Sequence, residues 1–314
     1  MRRVILKDSN PALQFVYTLL IFVAAWLVFQ VIALLSGALI YKIGFSEIQT
    51  VLSDYDNPLF VSFQKYIQAV ISTGIFIVVP LVVAFTLSNN IFKFLKVDYF
   101  PGGTVTFLVS LVMILSLPMN NYFTYLNNLL DLEGISPSLQ NYFEEMEIRA
   151  ENIYKRFLDV QGIGLLLINI LIVAVIPSIG EELLFRGVLQ KIFIRWTKST
   201  FAGVLITSLT FAFLHLQFLS VLPRFVLGMV LGYMFVWTKS LWMPIIAHFV
   251  NNALAVIYYY AIYNGMIGDG IEHIGQPDYA PVYAMLSIVI VILLLFVIRR
   301  IMRDRTIRTE HVMP

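Results

Sequence analysis

Apolar segments long enough to cross a lipid bilayer follow one another along almost the whole sequence. A transmembrane helix needs about 20 mostly apolar residues. Of the 314 residues, 59% are hydrophobic and only 13% are charged, about half the charged share of a soluble domain. We predict eight such segments: Leu13–Ile40, Ile67–Leu87, Val105–Leu117, Gly162–Ile176, Phe201–Leu216, Val221–Trp237, Trp242–Tyr260 and Val282–Val297. The sequence therefore predicts an all-α protein, a polytopic membrane helical bundle of about eight transmembrane helices.

The charged residues between these segments predict the orientation of the bundle. Short cytoplasmic loops of membrane proteins are enriched in lysine and arginine. Basic residues lie before the first segment, in alternate loops and after the last segment: Arg2, Arg3, Lys7, Lys93, Lys96, Lys191, Arg195, Lys198, Lys239, Arg299, Arg300, Arg303, Arg305 and Arg308. The other loops are acidic: Glu47, Asp54, Asp56, Glu144, Glu145, Glu147, Asp269, Glu272 and Asp278. Both termini are therefore predicted to be cytoplasmic, with the lipid bilayer and not nucleic acid as a partner.

Composition divides the chain into three regions. Residues 1–160 hold the first three predicted transmembrane helices and end in a polar segment, Asn120–Gln161. Apolar residues at helical spacing within that segment predict an amphipathic helix on the outer face, with a plain surface linker helix as the alternative. Residues 161–298 hold the other five predicted transmembrane helices and the polar residues of a predicted catalytic core. Residues 299–314 are predicted to form a basic cytoplasmic tail.

Three charged side chains follow the fourth apolar segment, where a bilayer-spanning helix would be in mid-course. An uncompensated charge at that depth costs ~2.5–3.5 kcal/mol, so such residues need partners. Glu182 and Arg186 are spaced to form an ion pair on one helix face, whereas Glu181 points about 100° away. A buried salt bridge that only joins helices would explain Glu182 and Arg186. It would not explain Glu181.

Two other apolar segments each carry a histidine. His215 lies near the end of the fifth predicted segment, while His248 and Asn252 share one face of the seventh. Taken singly, each histidine is more often a satisfied core residue than a catalyst. Together with Glu181, however, these residues supply a carboxylate, two imidazoles and a carboxamide, which are groups that can activate water and stabilise an oxyanion. The combination favours a catalytic cluster.

Other protease chemistries lack their characteristic residues in this chain. There is no cysteine, which excludes a cysteine nucleophile, a disulfide and a thiolate-bound metal. The sequence contains no His-Glu-x-x-His and no Gly-x-Ser-x-Gly motif, and the apolar segments contain no pair of aspartates. The mechanism that remains is one in which a glutamate acts together with histidines.

Three motifs in successive segments resemble those of the CPBP family of intramembrane proteases. That family comprises the type II CAAX prenyl endopeptidases and their bacteriocin-processing and lysostaphin-resistance-like relatives. The motifs are Glu181-Glu182-x-x-x-Arg186, Phe211-x-x-x-His215 and His248-x-x-x-Asn252. The resemblance covers about Ile176–Ala253. It implies an intramembrane endopeptidase that hydrolyses a peptide bond in a membrane-associated or lipid-modified, CAAX-like peptide.

The family pattern also implies a role for each motif residue. Glu181 would polarise the attacking water together with His215, and His248 and Asn252 would stabilise the tetrahedral oxyanion. The other two residues would give structural support: Glu182 and Arg186. Two possibilities remain for the cofactor: none, or a divalent metal such as zinc. Glu181, His215 and His248 could act as ligands of such a metal.

The alternative is a non-enzymatic membrane protein. It would be a proton-coupled transporter that uses Glu181 as a relay, or an immunity-type scaffold that has kept the motifs. Inverted repeats would support the transporter, and the sequence shows none. A catalytic site requires Glu181, His215, His248 and Asn252 to converge on one cavity, with Glu182 turned towards its arginine. The predicted segment boundaries place the two histidines ~12 Å apart in depth, so a boundary or a helix start must differ.

Overall fold

The computed structural model describes residues 6–130, 134 and 136–312. Arg2 and Arg3, which contribute to the predicted orientation, lie outside these residues. So do residues 131–133 and 135 of the predicted outer segment and the last two residues of the predicted tail. Within the described residues the regular structure is helical, apart from one isolated bridge between Gln276 and Tyr279. The all-α fold class is confirmed.

The first part of the chain forms six helices within the described residues. Their bounds are Pro11–Tyr41 (α1), Ile48–Ser53 (α2), Phe60–Leu87 (α3), Ile91–Leu95 (α4), Gly103–Leu115 (α5) and Leu117–Asn128 (α6). Helix α3 is continuous but contains a π-helical stretch, Thr73–Val78, between the α-helical stretches Phe60–Ser72 and Val79–Leu87. Pro80 follows this stretch, and a proline cannot donate a hydrogen bond to the carbonyl one turn earlier.

The second part contains six more helices and two short 3₁₀ turns among the described residues. Their bounds are Pro137–Leu158 (α7), Ile163–Thr197 (α8), Thr200–Phe213 (α9), the turn Phe218–Ser220, Val221–Thr238 (α10), Trp242–Tyr263 (α11), the turn Asp269–His273 and Val282–Val312 (α12). Helix α8 is assembled from Ile163–Asn169, Ile170–Val175, Ile176–Leu184, Phe185–Leu189 and Gln190–Thr197. The second and fourth of these stretches are π-helical.

Six of the described helices are long and apolar enough to cross a membrane: α1, α3, α8, α10, α11 and the Val282–Arg305 part of α12. Helices α5 and α6, which are bent by 43° at their junction, give a seventh if they are one span. The predicted fifth crossing is instead the 14-residue helix α9, about 21 Å long and so shorter than the ~30 Å hydrocarbon core. The polytopic membrane bundle is confirmed, with six or seven spans by length where we predicted eight.

Helix α8 lies at the centre of the bundle. It packs against α1, α3, α9 and α11. Helix α1 also packs on α3, and α5, α6 and α12 pack on the far side of α10 and α11. The approach of α8 to α3 depends on Gly180, because a Cβ there would meet Cβ of Phe76 at 2.6 Å. Apolar side chains cover the exterior of the spans, as at Leu20 and Leu39, which are 64% and 78% exposed. Such a surface fits lipid rather than water.

Candidate active site

The two adjacent glutamates lie on an α-helical stretch of α8 between two π-helical stretches. Pro177, at the start of Ile176–Leu184, has no N–H for the carbonyl of Val173, four residues earlier. π-Helical turns are rare and are frequently found at functional sites. Each inserts one extra residue into a turn and so rotates the next part of the helix about its axis. The orientation of Glu181 and Glu182 towards the other helices therefore depends on this irregular backbone.

Glu182 binds two partners through the same oxygen. Its Oε1 accepts from Nη1 of Arg186 at 2.6 Å and from Nδ1 of His248 at 2.9 Å. All three side chains are buried, and the Glu182 and Arg186 side chains are 0% exposed. The predicted ion pair with Arg186 is present. The bond to His248 was not predicted, because it joins α8 to α11.

The bond to Glu182 fixes the orientation of the His248 ring. A carboxylate can only accept, so Nδ1 of His248 carries the hydrogen, and Nε2 points in the other direction. Nε2 lies 3.9 Å from Oε2 of Glu181. The two glutamates thus face opposite nitrogens of a single imidazole.

Glu181 is the less satisfied of the two carboxylates. Its side chain is 13% exposed, and its Oε2 atom is buried without a hydrogen-bond donor among the described residues. The neighbouring Glu182 is compensated by Arg186, whereas Glu181 has no ion pair with an arginine or lysine in the described part of the chain. Glu181 therefore keeps lone pairs that can accept a proton from a bound molecule.

His215 follows the end of helix α9 and is connected to the cluster through Phe211. Its Nδ1 lies 2.7 Å from the Phe211 carbonyl oxygen, so Nδ1 donates and Nε2 is left as the accepting nitrogen. The Phe211 ring contacts both imidazoles, with centroid distances of 4.9 Å to His215 and 5.9 Å to His248. Because both imidazoles contact one phenyl ring, they lie closer together than the ~12 Å that the predicted boundaries implied. Helix α9 is shorter than the predicted fifth segment and ends at Phe213.

His215 does not pair directly with a glutamate, since no ion pair within 4 Å joins it to Glu181 or Glu182 in the described residues. Nor do the described residues contain any group of three histidine, aspartate or glutamate side chains placed to hold a metal ion. Glu181, His215 and His248, the three side chains considered as zinc ligands, are therefore not gathered into such a site.

Asn252 lies one turn after His248 on α11 and contacts the irregular part of α8. Its Nδ2 donates to the carbonyl of Val173 at 3.3 Å, and its Oδ1 accepts from Nδ2 of Asn251 at 3.1 Å. Asn252 thus provides a donor for the carbonyl that Pro177 cannot serve. A side-chain amide has two N–H groups, so the second remains available to a ligand.

The part of the chain that carries these side chains matches a known family. The family described as Type II CAAX prenyl endopeptidase Rce1-like matches residues 163–254, less than a third of the chain. That range contains all three motifs. The resemblance to the CPBP family is confirmed.

Two curated relatives come from Bacillus subtilis (strain 168). The chain is 28% identical over 125 residues to "Putative membrane peptidase YdiL", covering 40% of this chain and 50% of that protein. It is 36% identical over 90 residues to "Uncharacterized protein YpbD", covering 27% of this chain and 43% of that protein. The chain thus spans about half the length of the curated relatives it matches. No solved structure matches it significantly.

The CPBP glutamate motif is held in place by contacts that the sequence analysis did not predict. Arg186 donates from Nη2 to the carbonyl of Gly228 at 3.1 Å, and Gln190 donates from Nε2 to the carbonyl of Gly232 at 3.1 Å. The donors are one turn apart on α8 and the acceptors one turn apart on α10. Gly232 permits this approach, because a Cβ there would meet Oε1 of Gln190 at 3.0 Å and also Val204 of α9 at 2.8 Å. The sequence contained one signal for these contacts, because Gln190 and Arg186 are four residues apart and so share a helix face.

Two charged residues beside the CPBP motifs were also missed as site residues. Arg224 lies in the first turns of α10 and Glu147 lies on α7, and polar side chains connect them beside His215. The signal for Arg224 was present in the sequence, since an arginine inside an apolar segment is expected to have a function. Glu147 gave no comparable signal, because it lies in a polar segment with other acidic residues.

Proposed function

We propose that this protein is an intramembrane endopeptidase in which Glu181 acts as the general base. One observation carries the proposal: Glu181 has a buried oxygen free of donors that faces Nε2 of His248, while the adjacent Glu182 is neutralised. A general base needs a free lone pair near the reacting atoms. A purely structural carboxylate at this depth would be expected to have a donor. Oε1 of Glu182 has two, although its Oε2 has none, whereas Glu181 accepts no hydrogen bond from the described residues.

In the proposed reaction, Glu181 accepts a proton from the water that attacks the peptide carbonyl. It returns this proton to the amine nitrogen as the C–N bond of the tetrahedral intermediate breaks. Nε2 of His215 accepts from the same water, since its Nδ1 already donates to Phe211. Two acceptors on one water orient its lone pair towards the carbonyl carbon. His215 lies in the turn beyond α9, so substrate binding can bring it towards Glu181 without bending a helix.

His248 and Asn252 are proposed to stabilise the oxyanion. In its protonated form His248 donates from Nε2, and Glu182 at its Nδ1 stabilises the imidazolium, as an orienting carboxylate does beside a catalytic histidine. Asn252 donates its second amide hydrogen. Glu182 therefore gains a positioning role beyond the helix support first expected, and Arg186 limits the net charge at the site.

The substrate is proposed to be a membrane-associated or lipid-modified, CAAX-like peptide, since the site lies among helices that cross the bilayer. We further propose that residues 161–298 form the catalytic core, with residues 1–160 and the basic tail as accessory regions. The distribution of lysine and arginine supports cytoplasmic N- and C-termini.

The test is peptide hydrolysis by the purified full-length chain in nanodiscs. The probes are quenched fluorescent peptides, one with an S-farnesyl cysteine and one identical but unmodified. Glu181→Gln should lower kcat by about 10²–10⁴-fold, the range of general-base catalysis. Glu151→Gln is the matched control, because Glu151 is 58% exposed and its one ion pair among the described residues is with Lys155. Near-normal turnover by Glu181→Gln would refute the base assignment. Turnover of neither peptide by the wild type would favour the transporter or scaffold.

A further inference from the structure

A second polar cluster begins two residues after His215. Its members are Gln217, Ser220 and Arg224, in the connection between α9 and α10 and the first turns of α10. Arg224 donates from Nη2 to Oε1 of Gln217 at 2.5 Å and from Nη1 to Oγ of Ser220 at 2.8 Å. Nη1 also lies 3.5 Å from the Gln217 carbonyl oxygen. The guanidinium thus orients both neighbouring side chains.

Gln217 and Ser220 both direct a donor at one carboxylate. Nε2 of Gln217 donates to Oε1 of Glu147 at 3.4 Å, and Oγ of Ser220 donates to the same oxygen at 3.2 Å. Both bonds are longer than a strong charge-assisted hydrogen bond, which is about 2.5–2.9 Å in general. The second carboxylate oxygen of Glu147 is buried without a donor in the described residues. The hydrogen bonds from Gln217 and Ser220 therefore bind the Glu147 carboxylate only weakly.

Arg224 makes no ion pair within 4 Å among the described residues, although it lies within electrostatic range of Glu147 and Glu181. A partly buried guanidinium without a close counter-ion is unfavourable, and a carboxylate that met it directly in a bidentate pair would bind more strongly than Glu147 does. The cluster is thus chemically suited to a second, better-placed carboxylate.

We propose that Gln217, Ser220 and Arg224 form a binding site for a carboxylate of the peptide substrate, and that Glu147 occupies this site until the peptide displaces it. The inference rests on the proposed function and extends it to the choice of substrate. The carboxylate is either the C-terminus of the peptide or an Asp or Glu side chain. Binding there would place the rest of the peptide beside His215, two residues away in sequence.

Displacement of Glu147 requires only part of α7 to move. The C-terminal end of α7 is anchored, since the carbonyl of Phe157 accepts from Nζ of Lys65 at 2.8 Å and from Nδ2 of Asn169 at 2.7 Å. Near Glu147 the contacts of the described residues include the two long hydrogen bonds and the stacking of Phe143 on Phe218, with centroids 4.8 Å apart. This part of the helix can therefore yield while its end stays in place.

The experiment compares three peptides of one apolar sequence, each with the same fluorophore. One has a free C-terminal carboxylate, one is C-terminally amidated, and one is amidated but carries an internal glutamate. Fluorescence anisotropy with the full chain in nanodiscs gives Kd, and hydrolysis gives KM and kcat. We expect one carboxylate peptide to bind about tenfold or more tightly than the neutral amide, the usual effect of a hydrogen bond to a charged group.

Arg224→Gln should abolish this preference and leave Kd for the neutral amide unchanged. Arg149→Gln is the matched control, because Arg149 lies on α7 with its side chain 73% exposed, and it should keep the preference. Glu147→Gln should lower Kd for the carboxylate peptide only, and it tests the inference independently if Arg224→Gln does not fold. Tighter binding of the free acid identifies the C-terminus as the ligand, and tighter binding of the internal glutamate identifies a side chain.

Equal Kd for all three peptides with the wild type would overturn the inference, as would a preference that survives Arg224→Gln. Failure of the proposed function looks different. If no peptide is hydrolysed but the carboxylate preference depends on Arg224, the binding site is supported and the protease assignment is rejected. If all peptides are hydrolysed at the same rate with equal KM, the protease assignment is supported and the carboxylate site is rejected.

Discussion

Glu182 on α8 and His248 on α11 are joined by a hydrogen bond of 2.9 Å between Oε1 and Nδ1. The same oxygen accepts from Arg186 at 2.6 Å. One carboxylate therefore does two things: it compensates a buried guanidinium and it fixes which imidazole nitrogen faces Glu181. The two glutamates are adjacent in sequence, yet their surroundings assign them different chemistry.

The first prediction concerns the stability contributed by Glu182. Glu182→Gln keeps the shape of the side chain but leaves Arg186 charged and uncompensated, which should lower the free energy of unfolding by about 3–5 kcal/mol. Thermal unfolding in detergent, followed by tryptophan fluorescence, measures the change. Glu181→Gln is the matched control and should change Tm little, because no arginine or lysine pairs with Glu181 in the described residues and its contact with Nε2 of His248 is 3.9 Å long. Equal Tm values for the two variants would contradict the pairing.

A second prediction concerns the packing of α8 on α3. In Gly180→Ala the new Cβ meets Cβ of Phe76 at 2.6 Å and its backbone carbon at 3.2 Å, so the helices must separate. The expected loss is about 1–3 kcal/mol, as for other overpacked sites. Gly164→Ala, near the start of the same helix, meets nothing within 4 Å and should not be destabilising. If Gly180→Ala is as stable as Gly164→Ala, the close approach is not required.

The third prediction concerns the anchoring of α7. Lys65, 7% exposed, donates to the Phe157 carbonyl at the end of this helix. Lys65→Met removes that bond and should increase local opening of α7 by about tenfold or more. Chymotrypsin cleavage between residues 137 and 158 reports the opening. Lys155→Met removes an exposed lysine from α7 itself and should leave cleavage unchanged. Unaltered cleavage in Lys65→Met would show that other contacts hold the helix.

The fourth prediction concerns orientation in the membrane. Fluorescent protein fused to the C-terminus should fluoresce, because the basic residues in the last part of α12 are expected to stay in the cytoplasm. Alkaline phosphatase inserted next to Asp54, in an acidic loop, should be active because that loop is expected outside. Phosphatase activity at the C-terminus would reverse the predicted topology.

The relationships within one helix could be predicted from the sequence. The apolar segments predicted a membrane bundle, because the length of bilayer that a helix must cross is fixed. The spacing of Glu182 and Arg186 predicted their ion pair, because residues four apart share a helix face. The three motifs indicated the family, and residues 163–254 match it.

Relationships between helices were decided only by the tertiary structure. The two π-helical stretches in α8 change the rotation of the helix on either side of Glu181 and Glu182, so ideal spacing could not assign the partner on α11. The early end of α9 and the contact of both imidazoles with Phe211 bring His215 and His248 closer together than the predicted boundaries implied. The bond from Asn252 to Val173 and the connection of Glu147 to Arg224 join segments far apart in sequence. Residue spacing along the chain fixes directions around one helix axis, whereas contacts between helices depend on their crossing and register, which only the packed bundle determines.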